Sequence, residues 1–262
     1  MTYTALALDV SGHVATLEFR RPDRGNAFDE ALHSEFSNAL STLRANKDIR
    51  VILISAQGKT FSAGGDFDYL LCLNADKALR DRTLNEGRNI FRQLSEIEVP
   101  IVAAAQGHAA GVGATVLTAC DVSVVWRGAK IGDPHVLIGL TAGDGGAITW
   151  SAAIGFNRAR RILLTGDSLA APEAHQLGLI TDLVDNPEDA LPVARQIAEK
   201  IASLPPMAVQ STKRAFNAIA AARTGDAADR AMVEEMDCIA SEDLREAVAA
   251  TRERRAGNYK NR

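Results

Sequence analysis

Two glycine-rich turns carry the residues best suited to holding a charge. One is Ser62-Ala63-Gly64-Gly65-Asp66; the other is Gly107-His108-Ala109-Ala110-Gly111-Val112-Gly113-Ala114-Thr115, running on to Cys120-Asp121. The second is entered from a short apolar run of strand type and opens a small-residue helix. A turn of this kind leaves the first N–H groups of the helix unpaired and aimed at whatever lies in front of them. Such N–H groups can hold a negative oxygen, including the oxyanion of a polarised carbonyl. The same glycines would equally suit a tight strand-to-helix crossover that needs them only for packing. Gly58-Lys59-Thr60 mimics the end of a phosphate-binding loop, but that motif requires a glycine at position 53, where the chain has Leu53.

The elements that must position these turns follow from the apolar patterning. Residues 4–10 and 13–19 flank Ser11-Gly12 and predict a β-hairpin. After the basic loop at 20–26, Asp29 can cap a helix with Leu32, Phe36, Leu40 and Leu43 on one face. Residues 51–54, 101–105 and 122–126 predict strands, the first covered on both faces. Residues 76–98 form an amphipathic helical pattern that Pro100 stops. Strand, glycine turn and helix thus occur twice, which predicts a spiral of ββα turns rather than a doubly wound sheet. Further helical segments are expected up to residue 153, at 158–164 and at 172–177, with a strand at 179–184. From Glu188 onward the pattern is helical, at 193–201, 207–222 and 227–255, broken by Pro205-Pro206 and Thr224-Gly225. The expected division is a core over 1–203 and a helical region over 204–262 that acts as a cap or an oligomerisation element.

Composition narrows the partners. With 47% hydrophobic and 24% charged residues, the 262-residue chain has the make-up of a soluble globular protein. A net charge of -4 argues against nucleic acid. No apolar run approaches the roughly 20 residues needed to span a bilayer. The N-terminal residues lack a basic segment followed by an apolar one, so a cytoplasmic location is expected. Cys72, Cys120 and Cys238 are few and far apart, the usage of reduced thiols rather than of a disulfide framework or zinc site. With no HExxH or paired Cys/His spacing, no metal is implied.

Several motifs in order along the chain resemble the crotonase superfamily, also called the enoyl-CoA hydratase/isomerase family. They are Arg21-Pro22 with Asn26-Ala27, Phe61-Ser62-Ala63-Gly64-Gly65-Asp66, the Gly107/Gly111/Gly113 turn with Cys120-Asp121, and Leu164-Thr165-Gly166-Asp167 followed by Ala174, Gly178 and Leu179. The ending Ser241-Glu242-Asp243, Arg245-Glu246 and Glu253-Arg254-Arg255 is similar too. The resemblance implies an α/β fold, a crotonase-like spiral of ββα units with a C-terminal helical trimerisation region, assembled as a homotrimer or dimer of trimers. It implies an acyl-CoA or related carbonyl substrate, coenzyme A being part of that substrate and no separate cofactor being needed. By position, the N–H groups of Gly65 and Val112 would form the oxyanion hole. Arg21, Arg24, Ala27, Ala63, Asp66 and Gly111 would contact the substrate, with arginines such as Arg21, Arg24, Arg254 or Arg255 pairing with phosphates.

The departures from that pattern bear on the chemistry. Hydratases of the family carry one glutamate in the helix after the second glycine turn and another further on. The matching positions here are Thr115 and His135. A threonine hydroxyl can orient water but does not act as a base near neutral pH. His135 can, with Asp133 and Asp144 as candidate orienters. The spacing from His135 to Asp144 is similar to that of the superfamily's β-diketone hydrolases, which cleave C–C bonds by a retro-Claisen reaction, and in that branch Glu234 would reach the site. Expected activities are therefore enoyl-CoA hydration by an altered residue set, with His135 oriented by Asp144, or hydrolytic C–C cleavage of a β-dicarbonyl, or isomerisation. A CoA-binding protein without catalysis is the non-enzymatic alternative. The other histidines, His13, His33, His108 and His175, fit strand, helix or turn patterns, with His108 close enough to the second turn to line a pocket.

Overall fold

The hairpin forms as β1 (Leu6–Ser11) and β2 (Val14–Phe19), antiparallel, with Leu6 opposite Phe19. The computed structural model describes residues 3–262. Asp29 caps α1 (Glu30–Ala45), its carboxylate accepting from the Leu32 N–H at 3.0 Å. β3 (Val51–Ala56) lies parallel to β2 and is followed by α2 (Phe67–Ala75) and α3 (Lys77–Glu96), which Asp66 and Asp76 cap. β4 (Ile101–Ala105) leads into β5 (Ala109–Ala110), α4 (Val112–Ala119), β6 (Val122–Trp126) and β7 (Lys130–Gly132). A 3-10 turn at His135–Ile138 precedes α5 (Gly146–Ile154), α6 (Phe156–Thr165), β8 (Ser168–Ala170), α7 (Ala171–Leu177) and β9 (Asp182–Val184). The chain ends in α8 (Ala190–Ser203), α9 (Pro206–Thr224), α10 (Ala227–Ala240) and α11 (Glu242–Glu253).

Six strands form one sheet in the order β1-β2-β3-β4-β6-β9, parallel except for the hairpin. Both faces of its centre are buried, which is why residues 51–54 and 101–105 are apolar throughout. Ile52, Ile54, Ala103 and Ala105 face the main core with Phe36 and Leu40 of α1. Val51, Leu53, Val102, Ala104 and Val124 face the other way, against α8. That helix meets the sheet with Ala190, Ala194, Ala198 and Ala202, a four-residue spacing that keeps one small-residue stripe on the β-branched surface.

A second sheet, β5-β7-β8, was not expected, since two- and three-residue strands carry no periodicity. The C-terminal pattern at 227–255 also divides where one helix was expected. Ser241 ends α10 and caps α11, accepting from the Leu244 N–H at 3.1 Å. The strand expected at 179–184 is confined to β9. No helix among the described residues is long and apolar enough to cross a membrane.

Candidate active site

The two glycine turns are fastened to each other. Ser62 accepts from the Ala110 N–H at 3.0 Å, and the N–H of Phe61 donates to the His108 carbonyl at 3.0 Å. A Cβ on Gly107 would lie 1.9 Å from the Lys59 carbonyl oxygen, and one on Gly113 would lie 2.5 Å from the Ser62 Cβ. These two glycines serve close packing. Gly111 differs: it has φ +49° and stands immediately before α4, where a Cβ would lie 3.4 Å from His135 Cε1. Phe28, fixed edge-on to Phe19 in the core, donates to the Gly64 carbonyl at 2.7 Å and accepts from the Asp66 N–H at 3.1 Å. That parallel bridge turns the intervening Gly65 N–H the other way. Among the described residues neither the Gly65 N–H nor the Val112 N–H has an acceptor, and both residues line one cavity of about 80 Å³.

His135, Asp144 and Glu235 line the same cavity. The Asp133 carboxylate hydrogen-bonds His135 Nδ1, and both side chains are buried. Asp144 stands on the opposite edge of the ring, its Oδ2 3.7 Å from Nε2, with Glu235 Oε1 3.9 Å from the same nitrogen. Asp144 Oδ1 accepts from the Thr115 hydroxyl at 2.9 Å and from the Gly146 N–H at 3.1 Å, leaving Oδ2 without a hydrogen-bond partner among the described residues. The loop Gly143-Asp144-Gly145-Gly146 owes two glycines to this cluster. A Cβ on Gly146 would fall 2.1 Å from Asp133 Oδ2, and one on Gly143 would fall 2.8 Å from Glu235 Oε2.

Three buried ionisable side chains of this cluster, His135, Asp144 and Glu235, depart from their ordinary titration. Burial alone would depress His135, but the charges of Asp133 and Asp144, the Asp133 hydrogen bond and Glu235 outweigh it and hold the imidazolium well above its ordinary range. Burial raises the Asp144 carboxyl, with His135 opposing and Asp133 adding to the rise. Burial likewise pushes Glu235 up to about 8, against the pull of His135 and with the help of Asp144 and Asp133. Near neutral pH the cluster therefore presents a charged imidazole, a protonated Glu235 and the unpartnered oxygen of Asp144.

Four sequence expectations need correction. Glu234 is exposed on α10; the residue that reaches the cluster is its neighbour Glu235, on the inner face with Met232 and Ile239. The group that orients His135 is Asp133, whose carboxylate reaches Nδ1, whereas Asp144 faces Nε2. His108 does not line the cavity, because its Nδ1 accepts the Lys130 N–H at 2.9 Å. His33, read as part of a helix pattern, does line it.

The outer loop is also partly committed. Arg21 pairs with Asp29 at 2.8 Å, while Arg24 is half-exposed and only at the limit of ion pairing with Asp29 and Asp66, at 3.9 and 4.0 Å. Asn26, at φ +53° and fully buried, ties this loop down through the Arg21 N–H and the carbonyls of Gln57 and Thr60. Ala63 donates to the Gly25 carbonyl at 2.9 Å, and Ala27 is buried beside it in the loop. Asp66 is engaged as the α2 cap, and Arg255 is held by Glu246 and Glu253.

The sequence and the fold have counterparts in known proteins. The enoyl-CoA hydratase/isomerase family model matches residues 9–262. The chain belongs to that family. A crotonyl-CoA hydratase of Syntrophomonas wolfei is 32% identical, covering 99% of each chain. A 2,3-dehydroadipyl-CoA hydratase of Escherichia coli is 31% identical, covering 95% of this chain and 96% of its own. A crystal structure of an enoyl-CoA hydratase/isomerase from Mycobacterium paratuberculosis superposes with a TM-score of 0.88 at 34% identity, covering 94% of this chain and 98% of that one. The mixed α/β architecture is the crotonase fold. In this member of the enoyl-CoA hydratase/isomerase family, the helix after the second turn presents Thr115, and the carboxylate beside it comes from Asp144 on the loop that leads into α5.

Proposed function

We propose that the protein adds water across the double bond of a 2-enoyl-CoA thioester, using the Asp133–His135–Asp144–Glu235 cluster in place of two glutamates. The observation that carries this reading is the free Oδ2 of Asp144 in a cavity shared with two unpaired backbone N–H groups. Both separations from His135 Nε2 exceed a hydrogen bond and suit a water molecule bonded to the groups on either side. In the proposed reaction Asp144 Oδ2 removes a proton from water as its oxygen bonds to the β-carbon. The electrons of the double bond move onto the thioester oxygen, where the Gly65 and Val112 N–H groups hold the enolate. Protonated Glu235 then supplies the proton to the α-carbon. A pre-aimed donor is worth about 3–4 kcal/mol in such a transition state, and backbone donors make the side chain at Val112 incidental.

The relatives' names support acyl-CoA as the substrate class, since each of the two hydratases above is named for a CoA thioester. The loop at residues 21–27 beside Ala63 would receive the nucleotide end, with Arg24 freer than Arg21 to meet a phosphate. Exposed Met207, Phe216 and Ile219 on α9 support a subunit contact through the C-terminal helices, as in a trimer or dimer of trimers.

A second reading is favoured by the His135–Asp133 pair: its charged imidazole would stabilise Asp144 as the base that takes a proton from water attacking a carbonyl, and protonated Glu235 would supply the proton to the carbanion leaving group. That is retro-Claisen hydrolysis of a β-dicarbonyl. Side-by-side incubation with crotonyl-CoA and a 2-substituted cyclic 1,3-diketone separates the two. Loss of the enoyl absorbance with the first and none with the second is expected. Consumption of the diketone alone would replace hydration by C–C cleavage, and tight CoA binding without turnover on any acyl ester would leave a binding protein.

A further inference from the structure

The cavity that holds the Asp144 cluster has a second polar group of residues that hydration does not use. Tyr69 of α2, Thr83 of α3 and His33 of α1 line it together with Gly87 and Met232. Tyr69 and Thr83 are both buried, and their hydroxyl oxygens lie 2.6 Å apart. The Thr83 hydroxyl is 3.0 Å from the Leu79 carbonyl, one turn back on its own helix, so its single proton is spent there. Tyr69 must then donate to Thr83, and both oxygens keep lone pairs with no donor among the described residues. His33 Nδ1 meets the Glu86 carboxylate at 3.1 Å, so Nδ1 carries the proton in that bond. In the neutral ring this leaves Nε2 as a third acceptor, without a partner among the described residues. Gly87 supplies the room: a Cβ there would stand 3.3 Å from Met232 Sδ and 3.9 Å from His33 Cε1.

α3 also sets the position of this group relative to the reacting end. Phe91 lies against Gly145 and the Thr115 side of the cluster, and Thr83 is eight residues earlier on the same helix. At 1.5 Å per residue, that is about 12 Å along the axis of α3. The cavity is therefore lined by apolar residues such as Leu70, Leu73 and Ile239, with acceptors at one end and the proton-transfer cluster at the other.

We propose that Tyr69, Thr83 and His33 form a specificity subsite for an acyl group that carries a hydroxyl at the end remote from the thioester. The inference rests on the acyl-CoA reading above. A hydroxyl carries one proton and donates it to one of these three acceptors, giving that atom a partner which a hydrocarbon end would not supply. Sites built around buried polar groups discriminate against ligands that leave them unmatched.

The test measures kcat/KM for two 2-enoyl-CoA esters of equal length, one with a terminal hydroxyl and one with a terminal methyl. The wild-type protein is expected to favour the hydroxylated ester by about tenfold or more. Tyr69→Phe and, independently, Thr83→Val are expected to bring that ratio toward one, so the result does not depend on a single variant folding. Turnover of the methyl ester with equal or better efficiency would overturn the subsite and leave hydration standing. So would a wild-type preference that neither variant changes. If neither ester is bound or consumed, the acyl-CoA reading itself falls and the subsite falls with it.

Discussion

Asp144→Asn is expected to lower kcat on an enoyl-CoA by about a thousandfold while leaving KM within about threefold. The amide oxygen can still accept from Thr115 and the Gly146 N–H, so the loop keeps its shape. What is lost is the unpartnered oxygen opposite His135 Nε2, replaced by an NH₂ group that cannot take a proton from water. On the proposed reading substrate affinity is spared, because backbone N–H groups of Gly65 and Val112, not Asp144, would hold the carbonyl. Steady-state kinetics with crotonyl-CoA decides it. A drop of less than tenfold would move the base elsewhere in the cluster, and His135→Gln would then be the informative variant.

Glu235 provides the second large effect, on stability and its pH dependence. The folded protein keeps the Glu235 proton up to about pH 8, whereas an unfolded chain releases it near the ordinary 4.5. Between those values the folded state binds one more proton than the unfolded state. This contribution is therefore fully present below about 4.5 and is lost as the pH rises through about 8. His135 acts in the same direction: its raised value gives stability that is present below about 6.5 and lost on passing the folded pKa. Between about pH 6 and pH 9 the Glu235 share is about 3 kcal/mol at 1.36 kcal/mol per unit. The melting temperature should fall by about 6 °C or more over that interval. Glu235→Gln, which resembles the protonated acid, should remove the Glu235 share of the slope and leave the share of His135. A variant with the wild-type slope would show that Glu235 is not the proton holder.

Much of this fold can be read along the chain, for identifiable reasons. Residues 101–105 and 122–126 become strands with those bounds because both faces of the sheet are covered, so burial imposes apolar residues without alternation. Asp29 and Asp66 lie where helices begin because a carboxylate there satisfies free N–H groups. The small sheet β5-β7-β8 is held by tertiary neighbours, not by local preference, and left no pattern to find. The break at Ser241 lacks a glycine or proline and shows only through its cap.

The active-site cluster was legible only in part. His135 and Asp144 stand out as ionisable residues near glycine-rich loops, but two-residue spacing is what lets Asp133 close back onto Nδ1. Glu234 and Glu235 differ by one position on a helix, about 100° of rotation. The signal that separates them is the inner stripe of Met232, Glu235, Met236 and Ile239, spaced at three, four and seven residues. His33 follows the buried Leu32 in α1, and only the packing of α3 across it brings it to the cavity.

The most direct test of hydration by this cluster uses crotonyl-CoA in water enriched in oxygen-18, with mass spectrometry of the intact ester. Oxygen-18 in a 3-hydroxyacyl-CoA product is expected for the wild-type protein, with the label and product both greatly reduced in Asp144→Asn. Release of free CoA without a hydroxyacyl ester, or recovery of the unlabelled enoyl ester after many equivalents of enzyme time, would contradict it.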